Sequence, residues 1–160
     1  MRIELDAHEP QPKSKLTDDE FRFIYSRVLC LCVDIVIVQN GGVLFAKRKI
    51  EPFKGLWTLP GGIVRYKEPV DEAFQRLLTA ELGVKCTGKK LIGYIQHLDD
   101  GEFRSSLSLA FLTKYEGRIG GSWQGREFRP LTEFSENVQP YQAKFFQENW
   151  QNIMAESKDD

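Results

Sequence analysis

Residues 55–84 read GLWTLPGGIVRYKEPVDEAFQRLLTAELGV, and this stretch joins a glycine-rich loop directly to an amphipathic segment. The paired glycines at 61 and 62 let main-chain atoms approach a ligand closely. Pro69 suits the first turn of a helix and Gly83 suits the position just past its end, so the pattern predicts a helix over 69–82. The stretch therefore predicts a loop–helix unit with room for a bound ligand beside the loop.

The predicted helix carries an acidic residue on its apolar face. At about 100° per residue, Val70, Phe74, Leu77 and Leu78 form one stripe. Glu81 falls inside that stripe, at roughly 20° from Val70. Because burying an unpaired carboxylate costs several kcal/mol, Glu81 either reaches water or an arginine at the helix end, or it binds a cation. The helix alone leaves both interpretations open.

Length and composition indicate one domain. The chain has 160 residues, of which 41% are hydrophobic, 28% charged and 12% aromatic, and this is enough to bury a core of its own. Residues 1–15 hold two prolines and scattered charges, so we expect an N-terminal arm there, a single domain over 16–156 and a flexible tail at 157–160.

The charge balance excludes several classes of partner. A net charge of −1 gives no field that would draw the chain onto nucleic acid or an anionic membrane, so we expect neither as a partner. The longest apolar run, 28–38, is too short to cross a bilayer, and the first residues contain no apolar signal core. We therefore expect a cytoplasmic protein whose anionic ligands meet local basic groups.

The order of strand and helix signals predicts a mixed α+β sandwich in which helices cover a sheet. A capping box formed by Thr17 and Glu20 predicts a first helix. The turn Asn40-Gly41-Gly42 predicts a β-hairpin. The expected elements are a helix at 18–27, strands at 28–38 and 43–47, a loop at 49–62, the helix at 69–82, strands at 84–99, 103–115 and 123–129, and a helix at 140–155.

Residues 62–84 resemble the signature of the Nudix hydrolases, a loop-helix-loop box that binds a divalent metal and a diphosphate. The matching residues are Gly62, Glu68, Arg76, Leu78, Glu81, Gly83 and Val84. The resemblance implies an α/β/α sandwich with a mixed central sheet, in which Gly62, Glu68, Arg76 and Gly83 are structural. It also implies a hydrolase that uses Mg²⁺, with Mn²⁺ as the alternative metal, on a nucleoside diphosphate linked to another group.

Two positions of this signature are altered. The usual box has glutamates where Leu77 and Ala80 stand, so two of its three metal-site carboxylates are absent. One Glu and a carbonyl can still hold a Mg²⁺ whose other ligands are phosphate, water and one further oxygen. The altered box is poorly suited to gathering several metals that activate water against phosphorus.

The run RLLTAELG at 76–83 is similar to the GDP-mannose mannosyl hydrolase branch, in which water attacks the anomeric carbon of the sugar. By that similarity the Mg²⁺ ligands would be the Gly61 carbonyl, Glu81 and the amide oxygen of Gln124. Asp34, Arg48 and His97 stand where the branch contacts nucleotide or diphosphate. The resemblance also implies a nucleoside diphosphate-linked small molecule as ligand, and a homodimer.

The catalytic base is the weakest point of the resemblance. The branch has a histidine directly after the metal-binding glutamine, and this chain has Gly125 there. His97 is a candidate to replace it, and Glu127, Glu133 and Glu136 are further candidates. Trp57 is a candidate for stacking on a base or sugar, although an aromatic side chain is more often simply packed.

Three functions follow from these residues. The first is a nucleotide-sugar hydrolase similar to GDP-mannose hydrolase, and it is the one that the run at 76–83 favours. The second is a nucleotide-binding module that has lost turnover. The third is a Nudix pyrophosphatase that uses a base outside the box.

Overall fold

Three helices and eight strands make up a computed structural model that describes residues 16–51, 53–99, 103–120 and 127–158. The elements are α1 Asp18–Tyr25, β1 Cys30–Val36, β2 Val38–Gln39, β3 Gly42–Lys47, β4 Trp57–Thr58, β5 Gly61–Ile63, α2 Val70–Leu82, β6 Lys85–His97, β7 Ser106–Glu116, β8 Phe128–Leu131 and α3 Pro140–Glu156. The arm predicted for residues 1–15 lies outside the described residues.

Two four-stranded sheets form the centre of the molecule. The first has the strand order β5-β1-β7-β6, with β1 parallel to β7 and antiparallel to β5. In the second, β3 pairs with β2, β4 and β8. Asp34 lies in the middle of the first sheet, opposite Gly61 on one side and Ala110 on the other. The predicted mixed α+β fold is confirmed.

Strand β1 separates two hydrophobic clusters because alternate side chains point to opposite faces of a sheet. Val33 and Ile35 pack in one cluster with Leu78 of α2. Val36 packs in the other cluster with Phe146 of α3. Asp34 shares the face of Val36, so its carboxyl group points away from α2.

The expected strand at 28–38 is interrupted. β1 ends at Val36, and β2 begins at Val38 after the buried Ile37. The interruption arises because β1 belongs to the first sheet and β2 to the second. The predicted hairpin is present between β2 and β3, with Asn40 and Gly41 at φ 51° and 76°.

The helix ends follow their caps, whereas some strand limits differ from expectation. Thr17 and Glu20 form the predicted capping box, and Gly83 ends α2 in the left-handed conformation. The expected loop at 49–62 contains the short strands β4 and β5. The strand expected at 123–129 is described from Phe128 to Leu131, and 123–126 lie outside the described part of the chain. No helix in the described ranges is long and apolar enough to span a membrane.

Candidate functional site

A cavity of about 140 Å³, lined by both polar and apolar residues, opens on the face of the first sheet that points away from α2. We call it the Asp34 pocket. Its lining comes from five strands, the loops beside them and the start of α3, and includes Asp34, Arg48, Thr58, Gly61, His97, Arg104, Ser106, Ser108, Gln139 and Gln142. Three of the predicted site side chains, Asp34, Arg48 and His97, are thus brought together beside the Gly61 backbone.

Asp34 is a buried carboxyl group in which only one of the two oxygens has a hydrogen-bond partner among the described residues. It is 6% exposed, and Ser108 and Gln142 hydrogen-bond to it. Burial raises the pKa of Asp34 to about 7, and the bonds from Ser108 and Gln142 partly oppose that rise. Oδ2 is buried and has no hydrogen-bond partner among the described residues. A buried acceptor of this kind is costly unless a ligand or solvent meets it.

Two glutamines in the first turn of α3 fix the hydrogen-bonding pattern of the pocket. The backbone N–H of Gln142 donates to Gln139 Oε1 at 2.8 Å, and the backbone N–H of Leu59 donates to Gln142 Oε1 at 2.9 Å. A backbone N–H can only donate, so these bonds identify which amide atom is oxygen. The amide nitrogens therefore donate to the remaining partners, His97 and Asp34.

His97 accepts a hydrogen bond from one of these side-chain amides. Gln139 Nε2 lies 3.1 Å from His97 Nδ1, so Nδ1 accepts and the proton of a neutral imidazole sits on Nε2. The ring is 7% exposed and packs against Tyr141, with 5.3 Å between ring centroids. In this tautomer His97 offers an N–H donor, whereas a general base would need a lone pair at Nε2.

The paired glycines each face a different neighbour. A Cβ at Gly61 would collide with the Val33 carbonyl oxygen and lie 2.9 Å from Asp34 Oδ1. A Cβ at Gly62 would lie 2.7 Å from Leu77 Cδ2. Gly61 therefore keeps the backbone against Asp34, while Gly62 lets α2 pack directly on β5.

The loop between β5 and α2 is held by an ion pair. Arg76 Nε and Nη2 donate to Glu68 Oε1 and Oε2 at 2.7 and 2.8 Å, and Nη2 also donates to the Ile63 carbonyl at 2.9 Å. The backbone N–H of Arg65 adds a bond to Glu68 Oε2 at 2.8 Å. Hydrogen bonds from Arg76 hold the pKa of Glu68 below its ordinary value. Glu68 and Arg76, which the resemblance implies to be structural, therefore brace the loop against α2.

The predicted metal ligands are described in part. Glu81 is half-buried on α2, one turn after Leu77, and Gly61 lines the Asp34 pocket. Gln124 lies outside the described residues. Within the described ranges there is no cluster of three His, Cys, Asp or Glu side chains that could hold a metal. The Gly61 carbonyl and the Glu81 carboxylate are oxygen donors of the kind that Mg²⁺ prefers, so the donor chemistry fits this ion.

Two other predicted site residues lie apart from the pocket lining. Trp57 is 8% exposed and packs in the hydrophobic cluster that contains Phe146 of α3. The Arg129 guanidinium lies 5.1 Å from the centroid of the Trp57 ring. Glu127 is exposed and pairs with Arg129 at 3.0 Å. Neither residue contributes to the wall around Asp34.

Sequence reasoning missed Gln139, Gln142 and Ser108. The signal for Ser108 was present, because Ser106 and Ser108 alternate with leucines in an apolar strand and so share one face. The two glutamines resemble ordinary polar residues at the start of a helix. Only the tertiary structure shows that both are buried.

Comparison with known proteins identifies related chains. A family model described as NUDIX domain matches residues 29–152. The low-salt glycan biosynthesis protein Agl8 of Haloferax volcanii is 38% identical over 90 residues, which cover 56% of this chain and 58% of that protein. An ADP-ribose pyrophosphatase of Methanocaldococcus jannaschii is 33% identical over 104 residues, or 65% and 60% of the two chains. The chain spans about three fifths of the length of these curated relatives.

Solved structures share the fold at low sequence identity. A MutT NUDIX hydrolase from Burkholderia pseudomallei has a TM-score of 0.67 and 24% identity, covering 76% of this chain and 98% of its own. The NUDIX domain of Shewanella oneidensis NrtR, in complex with ADP-ribose, has a TM-score of 0.59 and 20% identity, covering 87% and 99%.

Proposed function

The chain belongs to the Nudix family, and from that premise we propose that it is a Mg²⁺-dependent hydrolase of a nucleotide sugar, cleaving at the anomeric carbon. Membership of the family supports a hydrolase of the Nudix type. The Asp34 pocket and the altered box support a sugar as the reacting group and its anomeric carbon as the point of cleavage.

The observation that carries the proposal is the set of polar groups that line the Asp34 pocket. Asp34 Oδ2 is an acceptor, while His97 Nε2–H and the serine hydroxyls are donors. Sugar hydroxyls both donate and accept hydrogen bonds, so a ring that carries several of them matches such a lining. A planar, mostly apolar group would leave these buried polar atoms unpaired.

The altered box supports cleavage at carbon. Leu77 is 6% exposed and packs on Gly62, and Ala80 offers no ligand atom, so neither position can gather metals. When bound by Gly61 and Glu81, Mg²⁺ would neutralise charge on the leaving diphosphate. Departure of a neutralised diphosphate is the main demand of a reaction with an oxocarbenium-like transition state.

Asp34 is the candidate general base of this reaction. A carboxyl group whose pKa lies near 7 is partly ionised at neutral pH and still accepts a proton well. Its unpartnered oxygen can hold a water molecule, and His97 can donate to a substrate hydroxyl. We therefore give Asp34 the role for which the sequence had suggested His97 or Glu127.

A pyrophosphatase is the second candidate, because one relative that is 33% identical is named ADP-ribose pyrophosphatase. Reaction in heavy-oxygen water with Mg²⁺ separates the candidates, with GDP-mannose and ADP-ribose as probes. Label in free sugar, released with nucleoside diphosphate, supports the proposal. Label in a nucleoside monophosphate or a sugar phosphate contradicts it and supports the pyrophosphatase. Nucleotide binding without products contradicts both and leaves a binding module.

A further inference from the structure

A second, larger cavity of about 490 Å³ lies between the end of α1 and the residues that lead into β7. We call it the α1 cavity. Its walls include Arg27, Leu29, Leu98, Asp99, Phe103 and Arg104. Helix α1 precedes residues 29–152, which match the family model, so this cavity is built partly by an element outside the matched region.

The α1 cavity adjoins the Asp34 pocket. Arg104 lines both, and the neighbours Ser105 and Ser106 line one cavity each. Pockets that enclose a ligand of drug size usually measure about 300–1,000 Å³. The 140 Å³ of the Asp34 pocket is too small for a whole nucleotide sugar. A ligand of that class needs a second compartment, and the α1 cavity is of the required size.

The lining of the α1 cavity combines polar groups with apolar side chains. It contains large apolar side chains that stand open to solvent, with Val28, Leu29 and Leu98 50%, 54% and 68% exposed. Charged groups of Arg27 and Asp99 lie among them. A nucleobase has apolar faces and polar edges, so it can cover the apolar side chains and still meet donors and acceptors.

Arg27 is held in place before any ligand binds. Its Nη1 donates to the Phe23 carbonyl and to Ser26 Oγ, both at 2.9 Å. The guanidinium carbon lies 4.1 Å from the centroid of the Phe23 ring. A side chain that is already ordered loses less entropy when it contacts a ligand.

We infer that the α1 cavity binds the nucleobase of the ligand whose reacting group occupies the Asp34 pocket. Arg104 then lies between the two bound parts. The inference rests on the proposed function. It makes the end of α1 and the residues that follow it part of the nucleotide-binding site.

Titration calorimetry with Mg²⁺ tests the inference, using ADP, GDP and inorganic pyrophosphate as probes. Leu29→Trp places a larger side chain in the wall of the α1 cavity, and we expect it to weaken the binding of ADP and GDP at least tenfold while leaving the affinity for pyrophosphate unchanged. Gln151→Trp is the matched control, because Gln151 is exposed on α3 and lines neither cavity. It should bind all three probes like the natural chain.

Hydrogen exchange on the natural chain gives a second readout that needs no variant. We expect ADP, but not pyrophosphate, to slow exchange of the amides at 26–29. Unchanged nucleotide affinity in Leu29→Trp, or nucleotide binding without protection at 26–29, overturns the inference and leaves the proposed function standing. If the natural chain binds neither nucleotide nor pyrophosphate, the proposed function fails, and the inference fails with it.

Discussion

Asp34 has an environment that favours a proton and a position that suits proton transfer. If it acts as general base, the rate should rise with pH through the pKa of about 7 and level off above it. Asp34→Asn should lower kcat/KM by about 10²–10⁴-fold. Asp71→Asn, at an exposed carboxylate on α2, is the control and should keep the natural pH profile. Natural activity in Asp34→Asn would contradict the assignment.

The same carboxyl group makes stability depend on pH. The pKa of Asp34 is about 7 in the folded chain against an ordinary 3.8, so between these values the folded state holds a proton that the unfolded state has lost. The natural chain therefore loses stability as pH rises from about 4 to about 7. The free energy of unfolding of Asp34→Asn, measured relative to the natural chain, should therefore be up to about 4 kcal/mol more favourable to the variant at pH 8 than at pH 4. Urea unfolding at both pH values measures this, and equal differences would contradict it.

Glu81 is the described carboxylate proposed to hold the metal. Glu81→Gln keeps the shape of the side chain and removes its charge, so the fold should persist while Mg²⁺-dependent nucleotide binding weakens at least tenfold. Calorimetric titration of Mg²⁺ in the presence of ADP measures the change, and a thermal melt checks the fold. Unchanged Mg²⁺ affinity would place the metal elsewhere.

Single residues were predictable where a charge conflicts with its surroundings. Asp34 in an apolar strand and Glu81 in an apolar stripe both stand out in the sequence, because burial of a carboxylate requires a reason. Gln139 and Gln142 do not stand out, since uncharged amides are ordinary at a helix start. The tautomer of His97 depends on the Gln139 amide, so its use as a hydrogen-bond donor could not be predicted either.

The brace between the loop and α2 should show energetic coupling. Glu68 is 9% and Arg76 24% exposed, so removing either partner leaves a partly buried charge. We expect Glu68→Gln and Arg76→Gln each to cost about 1–3 kcal/mol, and the double variant to cost clearly less than their sum. Simple addition of the two effects would mean that the side chains do not interact.

The chain supplies a matched control for this cycle. Lys89 and Asp71 pair at 3.0 Å, but Asp71 is 79% exposed. An exposed pair usually contributes less than about 1 kcal/mol. Denaturant unfolding of both cycles compares a braced loop with an ordinary surface pair.

The limits of helices that have capping residues at their ends were predicted well. Capping residues fixed the limits of α1 and α2 to within two residues, because those interactions lie within one turn of the chain. The break between strands at Ile37 was not predicted, because an apolar run has the same sequence pattern whether its residues belong to one sheet or to two. Which sheet a strand joins depends on partners far away in the sequence.

The whole molecule is proposed to be a homodimer, as the family resemblance implies. Edge strand β6 exposes 52% of Leu91 and 65% of Tyr94, and apolar side chains at a sheet edge favour pairing. Sedimentation at micromolar concentration should give a mass of about twice 18.5 kDa. A mass near 18.5 kDa would exclude a stable dimer.

The central pairing of β1 with β7 has a consequence for how the protein is made. Cys30 pairs with Ser106, and the hydrogen bond between Asp34 and Gln142 joins positions more than a hundred residues apart. During synthesis Asp34 therefore leaves the ribosome long before its partners exist, and a chain released before α3 has no intact Asp34 pocket. Contacts so distant in sequence also form slowly, because a long loop must close first. Ligand binding at this pocket would consequently report that synthesis has passed Gln142 and that the strands around Asp34 have assembled.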